Sequence, residues 1–508
     1  MARRSCCIGK RWDITYKDAI IVGNGPSAIT LSFLLSGNTP YYNGAPVPNE
    51  FLQYKLSDNP DKSLFDLDLE YLSEGLEGRS NNPVALLFDI LTKPNADLGS
   101  EVPSTLNWRK HEKEICNHVV LGKGRPGGVW QSMDGSMNTL SLGNWMELPN
   151  MSFREWSMKY RSHKGFTGMR SDRASLAEVG QYYHDYVKEK GLEKNFLDRH
   201  TVTTVQKVLD INTQIVDDES GEIVIGTGDT KNTPMIWEVC GKKHIFNEIL
   251  EEEVLVEEFC FRTPNVILAT GSYDQPNKLG IPGENLPHVI HSVQDLEGAI
   301  RDGLVSPDSD PVVVVGAGLS AADAILYAED FNLPVVHVFR RLARDPMLIF
   351  NKLPKAMYPE YHMIHSMMKR EHSSDLYTPY EAHSIKECMP SGQVIIHDNN
   401  NQSERLVQSS LVLVNIGSKP DLSFLRNDGK HLGVIEDEQI DCKNNPVDID
   451  LITYESNKEP GLFAIGPLIS DNFVRFIQGG SLGVASHLHK KFSCPEETSS
   501  GSAGKENM

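Results

Sequence analysis

The sequence predicts an α/β protein with two parallel-sheet domains, the second inserted in the first, and a helical insertion near the N-terminus. Three observations carry this. The spacing G-x-G-x-x-A occurs at Gly23, Gly25 and Ala28 behind the aliphatic run 19–22, and again at Gly316, Gly318 and Ala321 behind 312–315. Helix-like sequence follows each copy. Two further apolar strands, 266–269 and 411–416, end in small-residue turns at Thr270-Gly271 and Gly417, where the chain would leave the first domain and return to it.

The spacing has a physical basis. The first glycine permits a tight strand-to-helix turn, the second lets a pyrophosphate approach the backbone, and the small third residue lets helix and strand pack closely. The phosphates then sit on the free amides and positive dipole end of the helix. Two copies therefore predict two Rossmann-like dinucleotide-binding domains.

The elements follow in order. Residues 1–17 are expected to be a flexible N-terminus, and 18–284 the first part of one nucleotide domain. Its helix 29–35 stops at Gly37, and residues 38–115 then postpone the next strand for longer than an ordinary loop. Helix-like spacing at 64–76 and 83–91 makes that stretch a small helical insertion. The sheet resumes at 118–121. Gly127-Gly128 next permits close backbone approach to a ligand, and Trp130 either covers a flat ring or fills the core. A helix is expected over 174–190, ending at Gly191, with short strands near 201–209, 220–226, 234–240 and 254–261.

The inserted domain is expected over 285–418. Its second strand, 334–339, ends in Arg340-Arg341, about 20 residues beyond the fingerprint, where an acidic residue would hold the ribose of NAD. Arginines there fit a 2′-phosphate by charge-assisted hydrogen bonds and favour NADPH. Residues 419–492 complete the first domain, through 461–466 ending at Gly466, and through Gly479-Gly480, read as opening a helix that offers amides to a flavin or phosphate oxygen. A disordered tail is expected over 493–508.

Composition bounds the function. Across 508 residues, a net charge of −20 argues against a nucleic-acid partner. The eight cysteines have no C-x-x-C pair and no zinc-like spacing, and read as reduced thiols of an intracellular protein. No metal is expected, and His362 and His365 read as structural. Without an apolar stretch of about twenty residues the chain is expected to be soluble and cytoplasmic, with no transmembrane segment. Cys6 and Cys7 beside basic residues are candidates for reversible palmitoylation.

The order of these motifs resembles the flavin-containing monooxygenases over residues 18–488. More narrowly, the words at 71–80, 318–323 and 471–476 resemble the oxidative stress-induced growth inhibitor family. The resemblance implies bound FAD and NADPH, with O₂ and a small molecule or protein side chain as substrates. It also implies roles in restraining proliferation, in differentiation and in cell death, with regulatory protein partners. Trp130, Asn144 and His291 are the candidates for lining the flavin, the latter two as catalytic residues. Two positions depart from the pattern: Gly122-Lys123 stands where an acid would hold the FAD ribose, and Pro467 follows Gly466 where an aspartate would meet the ribityl chain. These departures support an alternative, a non-catalytic nucleotide-binding scaffold or redox sensor.

Overall fold

The computed structural model describes residues 14–133, 137–165, 172–210, 214–216, 223–225, 235–247 and 252–493. Cys6, Cys7, most of the expected N-terminal segment and the tail from 494 lie outside the described residues, as does part of the strand expected at 220–226. The chain divides into two compact units, Met1–Ser272 with Pro420–Met508, and Tyr273–Lys419.

The first unit is built on a five-stranded parallel sheet in the order Leu462–Ala464, Asn265–Leu268, Ala19–Val22, His118–Leu121, Phe196–Leu197. The three central strands are apolar at nearly every position because the sheet is buried on both faces, which is why they read as continuous runs rather than alternating ones. Helix Pro26–Leu35 is buried on every side. Its small polar residues make this possible: Ser32 Oγ meets His118 Nε2 at 2.9 Å, and Ser481 Oγ on the C-terminal helix Val474–Ser493 donates to the Ser27 carbonyl at 2.9 Å. Burial pushes the His118 imidazole down to about 4, so it stays neutral and serves as a core hydrogen-bonding group.

A four-stranded sheet flanks this core in the order Thr15–Tyr16, Glu252–Thr263, Met235–Asn247, His200–Leu209. Its long strands exceed the short ones expected from sequence, because cross-strand pairing carries them through the polar stretches. Helix Leu176–Glu189 begins at a capping box, Ser175 with Glu178, and ends before Gly191.

The stretch 38–115 corrects the helical expectation. It holds helices Glu50–Ser57, Leu69–Ser73 and Pro83–Thr92, but an antiparallel pair, Asn38–Tyr42 with Leu106–Lys110, closes it. These strands are rich in Thr, Tyr and Trp, and their pairing is long-range, which local periodicity does not report. Asp68 caps the middle helix through the amides of Glu70 and Tyr71, so it starts later than the spacing over 64–76 suggests.

The second unit has its own five-stranded parallel sheet, ordered Val289–Ile290, Leu411–Val414, Val312–Val315, Val335–Phe339, Tyr377–Glu381. An antiparallel three-stranded sheet, His383–Cys388, Gln393–Asp398 and Glu404–Gln408, completes it.

Candidate functional site

In the first unit several of the expected cofactor residues gather at one helix start. Gly25 precedes helix Pro26–Leu35 in an extended conformation (φ −74°, ψ −177°) with no side-chain cap, so the first-turn amides are left to a ligand or solvent. Gly23 has φ +105°, and a Cβ there would stand 2.3 Å from the Ala269 carbonyl oxygen, which seats the Ala269-Thr270-Gly271 turn beside the fingerprint. A Cβ on Gly128 would lie 3.0 Å from Gly25 Cα, and the Gly127 amide donates to the Asn24 carbonyl at 2.9 Å. Gly466 packs against Ser27, and Ala28 is fully buried. Gly25 itself differs from these neighbours: an added Cβ meets no atom within 4 Å. Protein packing demands glycine at 23, whereas only an approaching ligand would demand it at 25. Thr270 Oγ1, buried without a hydrogen-bond partner among the described residues, is a further polar atom beside this cradle.

The missing acid after His118–Leu121 has a steric counterpart. Asn24 Nδ2 donates to the Gly124 carbonyl at 2.7 Å, and a Cβ on Gly122 would fall 2.0 Å from that nitrogen. The Asn24 amide thus occupies the space that a side chain at 122 needs. This coupling went unread in the sequence because the two positions are distant and each looks ordinary alone.

The second unit repeats the cradle. Gly318 is extended (φ −94°, ψ −178°) before helix Leu319–Asp330, again with no side-chain cap and with open space where a Cβ would point. Gly316 has φ +131°, a Cβ there would collide with the Asn415 carbonyl at 2.2 Å, and Ala321 is fully buried. His337 Nε2 donates to the Gly316 carbonyl at 2.5 Å while Nδ1 accepts from Tyr377 Oη at 2.6 Å, and burial pushes this imidazole down to about 4. Of the two arginines after Val335–Phe339, Arg341 pairs with Asp345 at 3.0 Å. Arg340 is exposed and has no ion-pair partner among the described residues.

The two catalytic candidates, Asn144 and His291, belong to different units. Trp130 lies in a short 3-10 turn, half-buried and edge-on to Tyr183 at 6.1 Å. Asn144 Nδ2 donates to Glu101 at 3.3 Å, while its Oδ1 is buried with no partner among the described residues. His291 belongs to the other unit, next to the strand Val289–Ile290 and 3.6 Å from Glu284. Burial opposes ionisation of Glu284, but the amides of Leu279 and Gly280 together with His291 outweigh it and hold the carboxyl below its usual range. His362 and His365 each place Nε2 on a backbone carbonyl, of Leu353 and Ala343.

Gly479 and Gly480 require a correction. They lie inside helix Val474–Ser493 rather than at its start, so their amides are spent within the helix. A Cβ on Gly479 would stand 2.3 Å from Ala85 Cα, and one on Gly480 would stand 3.0 Å from the Tyr454 ring. A close helix crossing accounts for Gly479, and the tight packing of Tyr454 and Ile465 accounts for Gly480.

The two sequence words at 71–80 and 471–476 meet in a buried polar network. Asp471 accepts from Ser80 Oγ at 2.6 Å and Asn82 Nδ2 at 2.8 Å, which draws Asn82 away from capping helix Pro83–Thr92. Arg475 grips Asp89 with two hydrogen bonds, reaches Asp97 at 3.0 Å and lies over the Trp145 ring at 4.4 Å. Burial works against the Arg475 charge, but the two carboxylates outweigh it and strengthen its hold on the proton. Lys93 pairs with Glu147 beside them.

Burial lifts the Asp471 carboxyl to about 6, although Ser80 and Asn82 pull it down. The unfolded chain would titrate near about 3.9. Between these values the folded protein keeps a proton that the unfolded chain has lost. This contribution to stability is therefore complete below about pH 4 and disappears as pH rises through about 6. Asp471→Asn should match the parent near about pH 3.5 and exceed it by about 2–3 kcal/mol near about pH 8 in urea denaturation. A variant weaker than the parent at the higher pH would contradict this assignment.

A family model described as pyridine nucleotide-disulphide oxidoreductase matches residues 250–466. Over 481 residues the chain is 45% identical to oxidative stress-induced growth inhibitor 1 of Homo sapiens, covering 93% of this chain and 95% of that one. Among solved structures, bacillithiol disulfide reductase from Staphylococcus aureus matches with a TM-score of 0.55 at 14% identity, over 94% of this chain and 100% of that one. Ornithine hydroxylase from Pseudomonas aeruginosa matches with a TM-score of 0.53 at 12% identity, over 94% and 99%. The two structural likenesses show a shared fold. Among the described residues, no helix is long and apolar enough to cross a membrane.

Proposed function

Because the chain belongs to the oxidative stress-induced growth inhibitor family, as its identity to that human protein over nearly its whole length shows, we propose that it is an FAD- and NADPH-dependent oxidoreductase of the monooxygenase type that restrains growth under oxidative stress. Two Rossmann-like domains, one inserted in the other, carry the cofactors. The observation that supports this most is the pair of matched cradles, in which Gly25 and Gly318 leave open space while Gly23 and Gly316 are closed in by backbone.

FAD fits the first cradle: the Pro26–Leu35 helix start offers amides to its pyrophosphate, Gly127 and Gly128 admit close approach, and Thr270 offers an unused hydroxyl. NADPH fits the second, with Arg340 on the 2′-phosphate. When bound, FAD supplies the hydride-accepting and oxygen-activating chemistry, so no nucleophile or C-x-x-C is required of the chain. Trp130 with Tyr183 offers an aromatic wall that excludes water, and the Asn144 carbonyl oxygen offers an acceptor. O₂ and a small molecule or protein side chain are the proposed substrates. A second reading, a nucleotide-binding scaffold or redox sensor, draws on Asn24 filling the space at Gly122.

With FAD present, NADPH oxidation coupled to oxygen uptake tests the enzyme reading. Arg340→Ala should raise the NADPH KM by about 10- to 100-fold, the worth of a charged hydrogen bond, and leave NADH nearly unchanged. Equal losses for the two nucleotides would remove the 2′-phosphate assignment.

A further inference from the structure

Cys240 and Cys260 are direct cross-strand partners in the antiparallel pairing of Met235–Asn247 with Glu252–Thr263, and their sulfurs lie 2.6 Å apart. Both are buried. Opposed residues in such a pair have Cα atoms about 4.5–5.5 Å apart, inside the disulfide range of about 4.4–6.8 Å, so the sheet already holds the two thiols in bonding position. The adjacent pair on the same face is Glu238 with Arg262, ion-paired at 3.0 Å and buried. This places the paired Glu238 and Arg262 beside the two sulfurs on the same face of the sheet.

We propose that Cys240 and Cys260 form a redox modification site, a dithiol that a small hydroperoxide converts reversibly to a cross-strand disulfide. One thiolate attacks the peroxide O–O bond, becomes a sulfenic acid and releases water or an alcohol after protonation. The second thiol then attacks that sulfur, forming the S–S bond and releasing water. Two thiols lose two electrons and two protons, and the peroxide takes up both. Burial selects a small oxidant over a bulkier disulfide, which needs in-line access to a sulfur.

A metal site competes for the same atoms, since a Glu238 carboxylate oxygen and both sulfurs lie within 4.8 Å of one another. Disulfide formation is the better reading, because Arg262 occupies one Glu238 oxygen and Gln206 the other. Cys116 and Cys388 are buried as well but have no cysteine opposite them in a strand pair, Cys388 facing Val394, so they serve as references.

The test exposes the full-length native protein to hydrogen peroxide, blocks remaining thiols by alkylation and maps the peptides by mass spectrometry. The expected result is a Cys240–Cys260 cross-linked peptide, two hydrogen masses light, that dithiothreitol reverses while Cys116 and Cys388 stay alkylatable. In Cys260→Ser, dimedone should instead trap a sulfenic acid on Cys240. Three results would overturn the proposal: both thiols intact at an exposure that fully oxidises a glutathione standard, cross-linking only after denaturation, or a stoichiometric metal ion that protects both sulfurs in the purified protein.

Discussion

Arg475→Ala is expected to destabilise the first unit by about 3–5 kcal/mol, the usual cost of breaking a buried ion pair from one side. The guanidinium is 3% exposed and is the described bidentate partner of Asp89, itself 6% exposed. Its removal leaves a buried carboxylate without its cation and strips a flat cation from the Trp145 ring. Lysine would not restore the paired geometry, so Arg475→Lys should recover only a minor part of the loss. Combining Arg475→Met with Asp89→Leu should cost much less than Arg475→Ala alone, since no charge is then stranded. Urea denaturation followed by circular dichroism measures all three. A loss below about 1 kcal/mol for Arg475→Ala would mean that the network is solvated and carries little stability.

The second large effect separates ligand-imposed glycines from fold-imposed ones. Gly25→Ala is sterically permitted by the protein, since its φ is −74° and no atom lies within 4 Å of the added carbon. It should melt like the parent without cofactor, yet lose FAD affinity by about 100-fold or more, equivalent to about 2.7 kcal/mol. Gly318→Ala should do the same to NADPH. By contrast, Gly23→Ala and Gly316→Ala face backbone carbonyls at 2.3 and 2.2 Å with φ above +100°, and should unfold or fail to accumulate. Thermal melts of the cofactor-free variants, followed by FAD and NADPH titration, distinguish the classes. Unchanged affinity in Gly25→Ala would show that no pyrophosphate approaches that carbon.

The parallel sheets were legible because burial on both faces forces continuous aliphatic runs, as at Ala19–Val22 and Val312–Val315. The glycines of the two turns were legible because each motif is local, with its physical demands confined to a few successive residues. What escaped depends on partners far along the chain. Arg475 and Asp89 are 386 positions apart, and neither sequence neighbourhood announces the other. Gly122 reads as a lost acid until Asn24 is seen in its space. Gly479-Gly480 reads as a helix start, because glycine pairs break isolated helices, yet the approach of Ala85 to Gly479 and of Tyr454 to Gly480 places both inside a packed helix. Cys240 and Cys260 become a pair only through strand register, without any C-x-x-C spacing to signal them.

The most direct test of the central claim is the visible absorbance of the purified protein after FAD addition and removal of excess, followed by anaerobic NADPH titration and readmission of oxygen. The proposed function predicts a retained flavin band that bleaches with NADPH faster than with NADH and returns with oxygen. A colourless protein that neither keeps FAD nor oxidises NADPH would contradict it and leave the scaffold reading in its place.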